Sequence, residues 1–375
     1  MPSPRNENVV FAAVVSSIAA VAAVPIALVI ALSGGGTTVV LAALFALVPV
    51  GPLVACYLWL DRYEPEPRSL LVTGLAWGAF VATLLALVLQ GLGGLVAGFT
   101  DTERLSLVAP ITEEATKGLF LVLLLVWRRN ELDGVLDGIV YAGMVGIGFA
   151  FTENILYLAA AYNGTDGAGP GGIEELGFTF VLRCIASPFA HPLFTAFTGI
   201  GVGIAITSRS RVVRVLAPFL GYCVAVLAHA LWNSSTLLAD GAGFFAVYAI
   251  VMVPVFVTLT FLAVWARSRE ARILQGALAD AALRGLLPYD DIPHLVNLGA
   301  RRRARQFARV HGGPDGLAAM RSYQQAAIEL AFLHHRFLRG TAPRNFSARG
   351  QGFVDRMQAA RPYISFPGAH GRVLR

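Results

Sequence analysis

Apolar residues fill the first two-thirds of the chain in long blocks separated by short polar gaps. A hydrocarbon core of about 30 Å needs about 20 mostly apolar residues in a helix. The blocks 9–32, 38–60, 70–98, 111–127, 135–162, 178–207, 212–238 and 243–266 meet or approach that length. Pro25, Pro49, Gly78, Gly148, Pro188 and Gly199 lie inside them and would weaken soluble helices. In a membrane, neighbouring helices re-satisfy a broken backbone, and small residues let helices approach closely. The pattern predicts an all-α, polytopic transmembrane helix bundle of about eight spans. The first block is well longer than the core of a cleavable signal, about 7–15 residues, so it is read as an uncleaved first span.

After residue 266 the blocks stop. Residues 267–375 read as a basic, Arg-rich helical tail, with helical stretches at 267–287 and 315–340. The resulting organisation is a first span and flank over 1–37, a helix bundle over 38–266 and a tail over 267–375.

Composition agrees with a membrane protein. Hydrophobic residues make up 56% of the chain and charged residues 14%, where soluble domains carry roughly a quarter charged. That excludes an ordinary soluble enzyme, and the hydrophobicity excludes disorder. Cys56, Cys184 and Cys223 are scattered through apolar stretches without a CxxC, which argues against a disulfide framework or a cysteine zinc site.

The net charge of +6 is unevenly spread. Residues 1–266 carry 11 Lys+Arg and 16 Asp+Glu, a net −5, whereas 267–375 carry 18 Arg and 7 acids, a net +11. Arg62 and Arg68, Arg128 and Arg129, and Arg209, Arg211 and Arg214 fall in alternate gaps. The gaps 33–37, 163–177 and 239–242 contain no basic residue. Positive charge stays cytoplasmic, so the expected topology is N-in/C-in with a cytoplasmic tail; Arg104 is the one contrary charge. The run Arg301, Arg302, Arg303, Arg305, Arg309 suits anionic lipid headgroups at a membrane surface. No nucleic acid partner is expected.

Ionisable residues inside spans are costly and usually functional. The fourth block opens with Glu113-Glu114-x-x-Lys117. Glu113 and Lys117 are four apart, the favourable order for a helical ion pair. Lys117 is the only lysine beside 28 arginines, and its compact ammonium can pair one Glu while leaving the other free. On its own, this motif also fits a span end among headgroups. Glu153 and Asn154 lie deep in the fifth block with no basic residue within a helical turn, so Glu153 requires a partner from another helix. His191 lies in the sixth block, and His229 and Asn233 share a face of the seventh. A lone His on an apolar helix is usually a satisfied core residue; two beside two Glu-bearing spans are not so readily explained. At about 1.5 Å per residue, the topology puts Glu113, Glu153, His191 and His229 in the outer half of the membrane. Arg183, near the outer start of the sixth block, is placed to neutralise a carboxylate there.

Such a cluster has two hydrolytic routes. Glu153, His191 and His229 form a plausible zinc set with an open position for water. Alternatively a buried Glu acts as general base, with His and Asn donating to an oxyanion. A proton relay in a transporter is a third use, but no internal repeat with paired broken helices is visible. HExxH, a rhomboid-type GxSG and a Walker loop are absent.

Glu113-Glu114-x-x-Lys117, Phe149-x-x-x-Glu153-Asn154, His191 and His229-x-x-x-Asn233 resemble the motifs of the PrsW family of intramembrane proteases, over roughly 40–266. This family is related to the CAAX prenyl proteases, which carry paired Glu, then FxxxH, then HxxxN or HxxxD. The resemblance implies a membrane-embedded peptidase of glutamic or metallo type. It assigns Glu113 as base, Glu114 and Glu153 to the centre, and His229 and Asn233 as oxyanion donors. Lys117 and Asn154 support them. Glu153 replaces the prenyl-protease His, and His191 is the candidate for the missing imidazole. The implied substrate is a membrane-anchored protein such as an anti-sigma factor, cut near the extracytoplasmic face of a bacterial cell membrane. Some members of the wider set are thought to be non-catalytic scaffolds, which the complete Glu/His set here argues against.

Overall fold

The computed structural model describes residues 4–165 and 169–367, and its regular elements are all helical among the described residues. The long helices are α1 Pro4–Leu32, α2 Gly36–Leu60, α3 Arg68–Ala97, α4 Ala109–Trp127, α5 Val135–Asn163, α6 Ile173–Thr207, α7 Arg211–Ser235 and α8 Ala242–Leu283. All except α4 contain a stretch long and apolar enough to cross a membrane, which gives seven candidate spans. The helix α4 has 19 residues, about 28 Å of length, and is the one carrying Glu113, Glu114 and Lys117. The expectation of about eight spans thus becomes seven clear candidates and one polar helix of nearly spanning length. The chain is a multi-pass membrane protein.

The described chain divides into two compact units. One comprises residues up to Asp61 and Glu66–Ala263; the other comprises Arg62–Pro65 with the residues from Val264 onward.

In the first unit α5 is the central helix. Its membrane-crossing stretch is 83% buried, against 22% for α1 and 11% for α7. Small residues permit this. A methyl added at Gly138 on α5 would lie 2.0 Å from the carbonyl oxygen of Gly199 on α6, and one at Gly148 would lie 2.0 Å from that of Leu75 on α3. The backbones of α3, α5 and α6 therefore touch directly, as close membrane helix pairs do. Beyond the end of α2, Asp61 accepts two hydrogen bonds from the Glu66 amide at 3.0 and 3.2 Å. The Tyr141 hydroxyl of α5 donates to Glu66 Oε2 at 2.7 Å.

Several helices contain π-helical turns, which recur at functional sites. They lie at Trp77–Ala82, Arg104–Val108, Val181–Ala186 and Tyr248–Met252. In α3 the Thr83 hydroxyl donates to the Gly78 carbonyl at 3.0 Å. In α6 the π turn is followed by a break at Ser187–Pro188, and a regular helix resumes at Ala190–Thr207. That break sets His191 in the first turn of the new helix.

The second unit contains the end of α8, α9 at Leu298–Leu338 and α10 at Phe346–Ala360. Leu274, Leu278, Leu295, Met320, Tyr323, Ile328, Phe353 and Met357 lie in its core. Helix α9 is interrupted at Gly313 (φ 61°), just before Pro314. The expected helix at 315–340 is its second half, the one at 267–287 is the end of α8, and α10 was not foreseen. Residues 368–375 of the expected tail lie outside the described residues.

The arginine run is not one surface. Arg301 is only 3% exposed. It donates to the Leu295 carbonyl at 2.9 Å and to the Arg62 carbonyl at 3.1 Å. Arg305 donates to Gln324 Oε1 at 2.6 Å. Arg302, Arg303 and Arg309 are exposed. Alternation on a helix has turned two members of the run inward.

Candidate active site

The residues singled out in four separate blocks converge. Lys117 is fully buried. Its Nζ lies 2.8 Å from Glu114 Oε1, 3.5 Å from Glu113 Oε2 and 3.0 Å from His191 Nδ1. It also stands over the Phe149 ring, 3.9 Å from the centroid. The closest carboxylate is Glu114, three residues away, rather than Glu113, four away.

The two adjacent glutamates have different surroundings. Glu114 is fully buried and saturated. Besides Lys117 it accepts from His229 Nδ1 at 3.0 Å and from the Thr195 hydroxyl at 3.1 Å. A carboxylate with this many donors is a structural anion. Glu113 takes one long hydrogen bond at Oε1, from Gln90 Nε2 at 3.3 Å. Its Oε2 is buried with no hydrogen-bond partner, facing His229 Nε2 at 3.8 Å. Glu113 is therefore the glutamate of the pair left with an oxygen for chemistry.

These contacts set the imidazole tautomers. The Lys117 ammonium can only donate, so Nδ1 of His191 accepts, and the Nε2 hydrogen goes to Glu153 Oε2 at 2.6 Å. Glu114 accepts from Nδ1 of His229, which leaves the Nε2 lone pair directed to the Glu113 side. The His229 ring stacks on Phe194 with centroids 4.8 Å apart, and meets His191 edge to face at 5.3 Å.

Glu153 has found its partners on α6. Arg183, in the π turn, pairs with it, donates from Nε to Asn154 Oδ1 at 2.8 Å and stacks on Tyr157. Asn154 thereby orients the guanidinium rather than facing the cavity. Asn233 donates from Nδ2 to the Leu105 carbonyl at 3.0 Å. Its amide nitrogen carries a second hydrogen for another acceptor. A cavity of about 300 Å³ opens beside these groups, lined by Glu113, Glu153, Asn233, Gln90, Phe149 and Tyr157 among others. Glu114 does not line it.

The cluster has the donor types of a divalent-ion site, but His191 offers it a lone pair only where Lys117 leaves Nδ1. Glu113, His191 and His229 each offer a ligand atom within 4.8 Å of the others, and all three residues are buried. One carboxylate with two imidazoles matches catalytic zinc chemistry. Glu114 on the far nitrogen of His229 is the outer carboxylate such sites use to orient a ligand. The unpartnered Glu113 Oε2 points to the same place. The set differs from the expected one by one residue: Glu113 takes the place of Glu153, whose oxygen is occupied by Arg183 and His191.

Sequence reading missed Gln90, Thr195 and Phe194. The first two had a visible signal. Gln90 is the one long polar side chain in Thr83–Ala97, and Thr195 is four residues after His191 on the same helix face.

Comparison with known proteins agrees with this geometry. A model of the PrsW family intramembrane metalloprotease matches residues 66–259, just over half of the chain. "Protease PrsW" of Geobacillus kaustophilus is 33% identical over 169 residues, covering 43% of this chain and 68% of that protein. "Protease PrsW" of Oceanobacillus iheyensis is 29% identical over 150 residues, covering 40% and 60%. That of Clostridioides difficile is 30% identical over 118 residues, covering 30% and 49%. No solved structure matches the chain. With its family match spanning the helices that carry Glu113, Glu153, His191 and His229, this chain belongs to the PrsW family of intramembrane metalloproteases and is a multi-pass membrane peptidase.

Proposed function

We propose that this peptidase hydrolyses a membrane-anchored protein near the extracytoplasmic face, with Glu113 at the reacting centre. The observation that carries this reading is the inequality of the paired glutamates. Glu114 is spent on Lys117, His229 and Thr195, whereas Glu113 keeps an oxygen that accepts no hydrogen bond, in a buried site beside an open cavity.

Glu113 Oε2 and His229 Nε2 are the open ligand atoms that would hold a divalent ion, zinc being the expected one, and His191 would join them by exchanging Lys117 for the ion at Nδ1. When bound it supplies Lewis-acid polarisation and a lowered pKa for water. The chain's own residues have separate tasks. Where no ion occupies it, Glu113 Oε2 receives a proton from the attacking water and returns it to the leaving amine; where one does, Glu113 is a ligand and not the base. Asn233 presents its spare amide hydrogen to the developing oxyanion, a contribution of about 3–4 kcal/mol where measured elsewhere. Arg183 and Asn154 fix Glu153, which in turn fixes His191. Gaps rich in arginine support placing the centre in the outer half of the membrane. An anti-sigma factor is the first substrate to look for, given the family. Arg302, Arg303 and Arg309 supply the exposed charge for anionic lipid headgroups.

The test compares protein termini in membranes of cells expressing the wild type or Glu113→Gln at matched levels. New termini within or just outside a span, present only with the wild type, are the expected result and name the substrate. Identical termini in both would overturn the reading. Chelation of the purified enzyme is expected to abolish cleavage of that substrate, with zinc restoring it. Cleavage that survives chelation would leave Glu113 as a direct base.

A further inference from the structure

The cavity wall holds a polar residue that neither the motifs nor the tasks above use. Gln90 lies on α3, within the apolar sequence Thr83–Ala97. A glutamine there carries a desolvation cost that a leucine would not. Its amide reaches across to α4, with Nε2 3.3 Å from Glu113 Oε1 and 3.3 Å from Thr112 Oγ1.

The direction of that amide is fixed by its partners. The Thr112 hydroxyl already donates its hydrogen to the Val108 carbonyl at 2.7 Å. Toward Gln90 it can only accept. An ionised carboxylate also only accepts. Both contacts therefore require the NH₂ end of Gln90. One amide nitrogen links Glu113 to the residue before it. It does so at Oε1, the oxygen that faces away from Lys117 and His229, while Oε2 keeps no hydrogen-bond partner.

We infer that Gln90 is a positioning residue for Glu113: it holds Oε1 from the α3 side, so that Oε2 is the oxygen presented to the reaction. Without this contact the carboxylate plane can turn about its last bond and aim neither oxygen at the reaction. Catalytic groups must be held within about 0.5 Å of the productive geometry, and a 1 Å misplacement can cost 10²-fold. The inference rests on the proposed role of Glu113 and extends it to a second helix.

The test uses the full-length enzyme in detergent and a synthetic peptide spanning the cleavage point found by the comparison of termini. Gln90→Met keeps the side-chain volume and suits an apolar helix, but cannot donate. It is expected to lower kcat about 10- to 100-fold with KM within twofold. Gln90→Asn, one methylene shorter, is expected to lose nearly as much kcat despite keeping its amide. A merely structural role would show as an altered unfolding temperature with unchanged kcat. Wild-type kcat in Gln90→Met, or a loss confined to KM, would overturn the inference. Glu113→Gln run beside it separates the two failures. If Glu113→Gln is inactive and Gln90→Met is fully active, only the role of Gln90 falls. If both cleave as the wild type does, the role of Glu113 falls with it.

Discussion

Glu113 and Glu114 are adjacent in sequence but differ in what each holds, and their variants should differ accordingly. Glu114→Gln removes the charge that pairs with Lys117 and weakens the acceptor that orients His229. Lys117 then keeps only the longer contact with Glu113 at 3.5 Å, and breaking a buried ion pair typically costs about 3–5 kcal/mol. Thermal unfolding in detergent is expected to show a large drop for Glu114→Gln. Glu113→Gln should lose activity and less stability than Glu114→Gln, because its Oε2 accepts no hydrogen bond and its contact with Lys117 is the longer one, 3.5 Å against 2.8 Å. Equal unfolding temperatures would mean that Glu114 is not the structural anion described here. Much of this centre was legible in the sequence, since charge inside an apolar block stands out whatever the fold. The division of labour within the pair was not. It depends on His229 and Thr195, which lie 115 and 81 residues away from Glu114. The i,i+4 spacing also favoured Glu113 as the lysine's partner, where the side chains meet at i,i+3 instead.

At the scale of elements, the bundle rests on backbone contacts that only glycine permits. Gly138→Ala would drive a methyl to 2.0 Å from the Gly199 carbonyl oxygen and force α5 and α6 apart. Overpacking of this kind costs about 1–3 kcal/mol. Because α5 carries Glu153 and α6 carries His191, activity should fall by more than stability alone explains. Gly177→Ala, with nothing within 4 Å of the added methyl, should be neutral or gain about 0.5–1 kcal/mol in helix propensity. Unfolding temperature and peptide cleavage measured on both variants check this. The spans were readable because hydropathy reports length directly. The π turns were not, because an extra residue in a turn leaves the apolar pattern intact. That is why Arg183 could be suspected as a counter-charge from its position but not placed on Asn154 and Tyr157.

For the molecule as a whole, the second unit gives the clearest contrast between composition and structure. The arginine run reads as one basic patch, yet Arg301 is a core residue donating to the carbonyls of Leu295 and Arg62. Hydrogen bonds from charged groups contribute about 1.5–3 kcal/mol each. Arg301→Ala is expected to speed amide hydrogen exchange across 292–301 and 62–65 in the full-length protein. Arg302→Ala should leave that exchange unchanged and weaken binding to vesicles containing anionic lipid. Equal exchange in both variants would return Arg301 to the surface patch. The sequence held a faint signal that went unread: Ala300, Ala304 and Ala308 recur every four residues and are buried, with Arg301 and Arg305 each next to one of them on the helix, but alanines mark a packed face weakly.

The ionised side chains of the reacting centre have an electrical consequence. Glu113, Glu114 and Glu153 stand against Lys117 and Arg183, and the hydrogen bonds of His191 are those of a neutral ring. With no ion bound, the balance is one elementary charge negative in a medium of low polarity. Attack by water that leaves its proton on Glu113 moves this charge to the substrate oxygen without increasing it. A second negative charge about 4 Å from the first would cost about 4 kcal/mol at an effective dielectric constant of 20. An inhibitor that mimics the tetrahedral intermediate with an anion of its own must therefore bring a proton or a metal ion with it, whereas a neutral hydroxyl mimic enters without that penalty.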